Sequence, residues 1–151
     1  MRSRAGRFWT GFGWGVVATI GMSVLMLLGR ATGLTPMPKP VPVALVARIL
    51  GGGPKPLLMT LGALSHLAYG GFWGGVLASA TRRIDLAKGL GLGIALWLLM
   101  QLVALPFLGW GAFGLALTPK IAVATLVLHL VYGGLLGVLA DRPKVPATAG
   151  A

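Results

Sequence analysis

The chain has two histidines, His66 and His129, and both lie in the same local pattern. A tyrosine follows each histidine three positions later and glycines follow four and eight positions later, so His-x-x-Tyr-Gly-Gly-x-x-Gly occurs twice. A neutral imidazole can donate or accept a hydrogen bond, or ligate a metal. Both patterns lie in long apolar runs, and an imidazole within a bilayer is costly unless it is hydrogen-bonded. We therefore expect both rings to face the interior of a helix bundle.

Three interpretations of the histidine pair remain open. Ser23 and Gln101 occupy corresponding positions of two other apolar runs. In the structural interpretation, each of them hydrogen-bonds the histidine in its own half of the chain. In the second, His66 and His129 are the axial ligands of a b-type haem, because neutral imidazole is a common haem ligand. In the third, the histidines form the polar lining of a permeation path or a ligand pocket.

Other side chains add little that points to catalysis. Tyr69 and Tyr132 are expected inside the bundle, as packing residues whose hydroxyls reach backbone carbonyls or, alternatively, as hydrogen-bond partners of the histidines. Methionine and histidine together can ligate copper. Gap-filling is nevertheless the favoured role of the methionines Met22, Met26, Met59 and Met100. The sequence contains no cysteine and no nucleophile–base pair, phosphate loop or acidic metal cluster. It predicts no metal site, no cofactor and no enzyme activity, apart from the haem alternative.

The composition is typical of a membrane protein. Hydrophobic residues make up 56% of the 151 residues and charged residues only 10%, whereas soluble chains average about 25% charged residues. A bilayer crossing takes roughly 20 apolar residues, and four segments are long enough. The predicted spans are residues 8–29, 57–80, 86–105 and 119–140. The fold class is therefore all-α: one polytopic domain over residues 1–151, forming a bundle of four transmembrane helices.

The connections between the spans differ in character. Prolines between positions 36 and 42 stop the first helix, and residues 43–50 are too short to span, so we predict a short interfacial helix there. Residues 107–118 contain Trp110 and Phe113, which suit an interfacial loop, since Trp is enriched at bilayer boundaries. The tail at residues 143–151 is predicted to be disordered.

Glycines four residues apart occur in all four spans, and this spacing lets a second helix approach closely in lipid. The residues for which we predict close helix packing are Gly70, Gly74, Gly133 and Gly137, together with Gly11, Gly15, Gly89 and Gly93. The last four favour packing of the first span against the third.

The glycines and histidines also indicate an internal repeat. Gly11, Gly13 and Gly15 recur as Gly89, Gly91 and Gly93, and the histidine pattern of the second span recurs in the fourth. The predicted halves are residues 8–81 and 86–141, each a helical hairpin. Since each half crosses the membrane twice, the two halves have the same orientation, which gives a parallel repeat.

The basic residues predict orientation and exclude one partner. The net charge is +11, yet the basic residues cluster at the ends of apolar runs, which is typical of membrane-flanking residues and not of a nucleic-acid surface. Anionic lipid headgroups are the expected electrostatic partners. With the N-terminus in the cytoplasm, eight basic residues lie inside and five outside. The positive-inside rule therefore places both termini in the cytoplasm.

The segment from Gly15 to Ser23 and the His-x-x-x-Gly-x-x-x-Gly rows resemble small bacterial inner-membrane proteins of unknown function with four spans. The resemblance covers most of the chain and implies a fold, but no activity. The pairing of two histidine-bearing helices also resembles, more weakly, that of membrane cytochromes b. We predict a non-enzymatic packing or assembly partner in the inner membrane, acting with a second copy or with a membrane complex. The alternatives are a haem-containing electron-transfer subunit and a small channel or transporter-like pore.

Overall fold

The computed structural model describes residues 3–141, and over this range the chain is helical without β-strands. Its main helices are α1 (Arg4–Ala31), α2 (Val41–Leu50), α3 (Lys55–Ala80), α4 (Leu86–Phe107) and α5 (Lys120–Ala140). The predicted disordered tail at 143–151 lies outside the described residues.

Three of these helices, α1, α4 and α5, are long and apolar enough to cross a membrane. The second predicted span, α3, has 26 residues but is not one of these three helices. Its glycines and His66 lower its mean hydropathy. The short helix α2 begins at Val41, two residues earlier than predicted, because proline is tolerated in the first turn of a helix.

The helices begin and end at residues whose chemistry explains the boundaries. The Ser3 hydroxyl oxygen accepts a hydrogen bond from the Gly6 N–H at the start of α1 (3.1 Å). At the start of α4, an Asp85 carboxylate oxygen accepts from the Lys88 N–H (2.9 Å). The Lys88 ammonium group also pairs with Asp85, and these two bonds lower the pKa of the Asp85 carboxyl group from 3.8. The α2 helix ends at Gly51 in the left-handed conformation (φ 70°).

The helix of the third predicted span, α4, extends two residues past the predicted end at residue 105 and continues through Pro106. Proline has no N–H and its ring clashes with the carbonyl one turn earlier. The helix widens into a π-helical turn over Met100–Ala104, where the Leu105 N–H donates to the Met100 carbonyl. This wider turn accommodates the proline without ending the helix.

The helices pack as two antiparallel pairs, α1 with α3 and α4 with α5, and the pairs meet through α1 and α5. In the first pair Gly11 lies against Gly74 and Gly15 against Gly70. The prediction that these α1 glycines pack against the third predicted span, α4, is wrong: they pack against α3, the following helix of the same pair. The glycine rows of α1 and α3 face each other within one hairpin, so neither row needs a helix of the second hairpin for close packing.

Two buried clusters hold the pairs together. The first is centred between α1 and α5, and its members are Ala18, Met22, Ile84, Leu96, Tyr132 and Leu136. The second joins the connection before α2 to the end of α4 and the start of α5, and its members are Met37, Val41, Ala44, Leu105, Trp110 and Ile121. Trp110 is only 8% exposed. The indole lies in the same buried cluster as Ile121, and the interfacial position of this loop stays a prediction.

Candidate functional site

A cavity of about 430 Å³ lies where the two helix pairs diverge, covered by α2. Both histidines line it, His66 from α3 and His129 from α5. The cavity forms because the pairs meet through α1 and α5, so α3 and α4 flank a space instead of a packed seam. Apolar side chains make up most of its wall, including Val46, Leu96 and Leu128.

The backbone orients the imidazole of His129. Its Nδ1 lies 2.8 Å from the carbonyl oxygen of Thr125, one turn earlier in α5. A carbonyl only accepts, so Nδ1 carries the proton in this bond and Nε2 keeps a free lone pair. This arrangement holds the ring in one tautomer and one orientation, as the outer hydrogen bond of a metal-binding or substrate-binding histidine does.

The environment of His66 is different. Its Nε2 is buried and has no hydrogen-bond partner among the described residues. Leaving a buried polar atom unpaired costs free energy, so the atom marks a place where a ligand atom could bind. Ser65 precedes it and also lines the cavity, although its hydroxyl donates to the Gly62 carbonyl (3.0 Å).

The structural interpretation predicts a hydrogen bond between Gln101 and His129, but the two side chains do not bond directly. Its side chain is fully buried in the π-helical turn of α4, and its Nε2 donates to the Thr125 hydroxyl oxygen (2.8 Å). Thr125 thus joins the two residues, its hydroxyl bonding Gln101 and its carbonyl bonding His129. Ser23 is half-buried on α1, and no hydrogen bond links it to His66 within residues 3–141.

The two tyrosines, equivalent by sequence, have different environments. Tyr132 is 2% exposed and its hydroxyl donates to the Gly70 carbonyl of α3 (2.7 Å), as the packing interpretation predicts. Tyr69 lines the cavity but is 42% exposed, so it does not lie inside the bundle of a single chain.

Sequence reasoning missed several residues of the site. Thr125 and Ser65 line the cavity. A search for hydroxyl residues within one helical turn before each histidine would have found them. Four methionines also line it: Met22, Met26, Met37 and Met100. In sequence they are scattered, so only the fold brings them together.

The cavity wall contains no charged side chain among the residues the structure describes. Within that same range there is no group of three or more His, Cys, Asp and Glu side chains that could hold a metal ion. The arrangement offers an apolar space with a few hydrogen-bonding groups, which is the usual composition of a small-molecule site.

Residues 5–149 match the model of DUF6789, a family of unknown function. The chain belongs to this family. This confirms the resemblance to a group of uncharacterised proteins, and the match covers nearly the whole chain. No curated protein matches the chain, and no solved structure does. Family membership therefore brings no activity with it, and function has to be argued from the cavity.

Proposed function

We propose that this protein is a non-enzymatic membrane protein that binds a lipophilic molecule with a neutral, hydrogen-bonding head group beside His66 and His129. The observation that carries this proposal is the cavity of about 430 Å³, apolar in most of its wall and bordered by both imidazoles. The wall contains no cationic side chain that could pair with a phosphorylated or other anionic head group, and burying an unpaired anion costs several kcal/mol. Hydroxyl or carbonyl groups of a quinone, prenol or sterol-like molecule suit these donors and acceptors.

The proposal includes four spans in a bacterial inner membrane. At about 1.5 Å per residue the 26 residues of α3 reach about 39 Å, more than the roughly 30 Å of a hydrocarbon core. Its glycines pack along α1, which itself qualifies as a span. A helix that runs antiparallel along a spanning helix crosses the same bilayer, which supports α3 as a span.

The proposal also includes the internal repeat and its orientation. Equivalent glycines form the contacts of the two pairs, Gly11 and Gly15 in the first and Gly89 and Gly93 in the second. This correspondence supports two tandem hairpins. With both termini in the cytoplasm, the cavity lies in the outer half of the bilayer, because it is lined by the late residues of α1 and α4 and the early residues of α3 and α5.

A b-type haem is the second candidate, and the orientation of His129 favours it. Its Nδ1 bond to the Thr125 carbonyl leaves Nε2 available as an axial ligand, and His66 Nε2 is buried without a partner. His66 and His129 are the residues that would hold the iron, and bound haem would supply one-electron transfer. The assembly role and the pore remain predictions.

Analysis of the bound molecule tests the proposal. Protein purified in mild detergent is washed, extracted with organic solvent and examined by mass spectrometry. The Val46→Trp variant fills the cavity from α2, whereas the control Val127→Trp places the same indole on an exposed face of α5. We expect one class of lipophile in the wild type and the control, reduced at least about tenfold in Val46→Trp, which corresponds to about 1.4 kcal/mol.

Two outcomes would contradict this proposal. Equal lipid content in all three proteins would mean that only surface lipid is retained. A Soret absorption band in protein from haem-replete cells that disappears in His66→Ala and His129→Ala would replace the lipophile with haem.

A further inference from the structure

The fold gathers the chain's soft metal ligands around one cavity. Both histidines and four of the six methionines line it. They come from four helices and one connection: Met22 and Met26 from α1, Met37 before α2, His66 from α3, Met100 from α4 and His129 from α5. We propose that this cluster binds a monovalent soft cation, copper(I), through imidazole nitrogen and thioether sulfur. The inference goes beyond the lipophilic ligand and does not depend on it.

Met22 and Met37 are buried members of the two hydrophobic clusters, so gap-filling is part of their role, but both also border the cavity. A gap-filling methionine closes irregular space in a core. Met26 and Met100 are only half-buried and border a cavity of about 430 Å³. Met59 is different: it lies on α3, is 48% exposed and does not line the cavity. Among the described residues, the fold therefore places four of the five methionines at this wall.

The donor set selects the type of metal. Calcium and magnesium need several oxygen ligands, and no carboxylate lines the cavity within residues 3–141. Structural zinc sites use four cysteine, histidine or carboxylate ligands, whereas this wall offers two histidines and the whole chain has no cysteine. Thioether sulfur prefers copper(I), and imidazole also binds copper.

The charge balance selects the oxidation state. The candidate ligands, two imidazoles and four thioethers, are neutral, so a bound cation would keep its full charge in a site without an anionic side chain. Since the cost of burying an ion rises steeply with its charge, the site favours a monovalent over a divalent ion. The bond from His129 Nδ1 to the Thr125 carbonyl fixes the ring for binding through Nε2, and His66 Nε2 has no partner within the described residues.

Competition with a chromophoric copper(I) chelator tests the inference. Tag-free, full-length protein in detergent is titrated anaerobically with copper(I) in the presence of the chelator and ascorbate. We expect one equivalent bound, and at least a tenfold weaker affinity in His66→Ala and in the double variant Met22→Leu, Met100→Leu. Leucine keeps the apolar volume of methionine and removes only the sulfur. Met59→Leu is the matched control and should bind as the wild type does.

Several results would overturn the inference. These are no binding to folded wild type, equal binding by all variants, equal loss in Met59→Leu, or zinc(II) retained as tightly as copper(I). X-ray absorption of the copper-loaded protein must also detect sulfur neighbours. The lipophile content of the same samples is measured in parallel, so failure of the metal site and failure of the lipophile site give separate results.

Discussion

At the scale of single residues, the Gly70 carbonyl is the point where three helices meet. It accepts a hydrogen bond from the Tyr132 hydroxyl of α5 (2.7 Å), and a side chain at Gly70 would collide with the Thr19 hydroxyl of α1. Thr19 is itself buried and donates to the Gly15 carbonyl (2.7 Å). Because Gly70 has no side chain, α3 can contact both α1 and α5 at this position.

Tyr132→Phe should lower the free energy of unfolding by about 1 kcal/mol, since interhelical hydrogen bonds in membranes contribute about that much. The change removes only the hydroxyl that donates to Gly70 across the two hairpins. Tyr69→Phe is the matched control, because Tyr69 has the equivalent sequence position but is half-exposed. Reversible unfolding in mixed micelles measures both variants. Equal effects of the two changes would mean that the Gly70 bond has no special role.

The sequence predicts the chemical role of Tyr132 but not its partner. A buried phenol seeks a backbone carbonyl, which is predictable from one helix alone. The carbonyl belongs to the other hairpin because of how α1 and α5 pack. The local patterns around Tyr69 and Tyr132 are identical, so they do not show which hairpin supplies the partner. For the same reason Thr125, which joins Gln101 to His129, was not identified.

At the scale of helices, the two pairs use equivalent glycines with a shift of one turn. A side chain at Gly74 would lie 2.6 Å from the Gly11 carbonyl oxygen, whereas in the second pair Gly133, and not Gly137, faces the Gly89 carbonyl. The sequence equivalent of Gly74 is Gly137, so α4 is displaced by about four residues along α5. The two hairpins therefore differ in register although their patterns match.

Gly15→Ala should destabilise the protein by about 1–3 kcal/mol, the usual cost of overpacking. The added methyl group would lie 3.0 Å from the Gly71 Cα atom and also press on the Gly70 carbonyl, and backbone atoms cannot move aside without separating α1 from α3. The control is Gly13→Ala, on the same helix with nothing within 4 Å. Its stability should change by no more than about 1 kcal/mol. Thermal unfolding in detergent compares them; a similar loss for both would contradict close packing at Gly15.

Gly93→Ala and Gly91→Ala repeat the test in the second pair. A methyl group at Gly93 would press on the His129 carbonyl, whereas Gly91 has open space around it. The glycine rows were predictable, because spacing of four places residues on one helix face. The partner of the α1 row was not, and neither was the π-helical turn that carries α4 through Pro106, because both depend on the neighbouring helices.

At the scale of the whole molecule, the ion pairs lie at one end of the described part of the chain. The two acidic residues of the chain, Asp85 and Asp141, pair with Lys88 and Arg83, and these pairs lie where α3, α4 and α5 end or begin. The Arg83–Asp141 pair joins the connection before α4 to the end of α5. Composition predicts a membrane protein and basic flanks, whereas the cavity at the opposite end comes from helix packing that no local pattern encodes.

Cysteine accessibility distinguishes four spans from three, and the natural chain has no cysteine to interfere. Single variants Lys55→Cys, Arg82→Cys and Leu117→Cys place a thiol at exposed positions at the start of α3, after α3 and before α5. If α3 crosses the membrane and the N-terminus is cytoplasmic, an impermeant maleimide labels Lys55→Cys and Leu117→Cys from outside, but labels Arg82→Cys only after permeabilisation. If α3 does not cross, Arg82→Cys becomes accessible from outside and Leu117→Cys becomes protected. A full inversion of the labelling pattern would keep four spans and reject the cytoplasmic termini, because positions 55 and 117 would then face the cytoplasm.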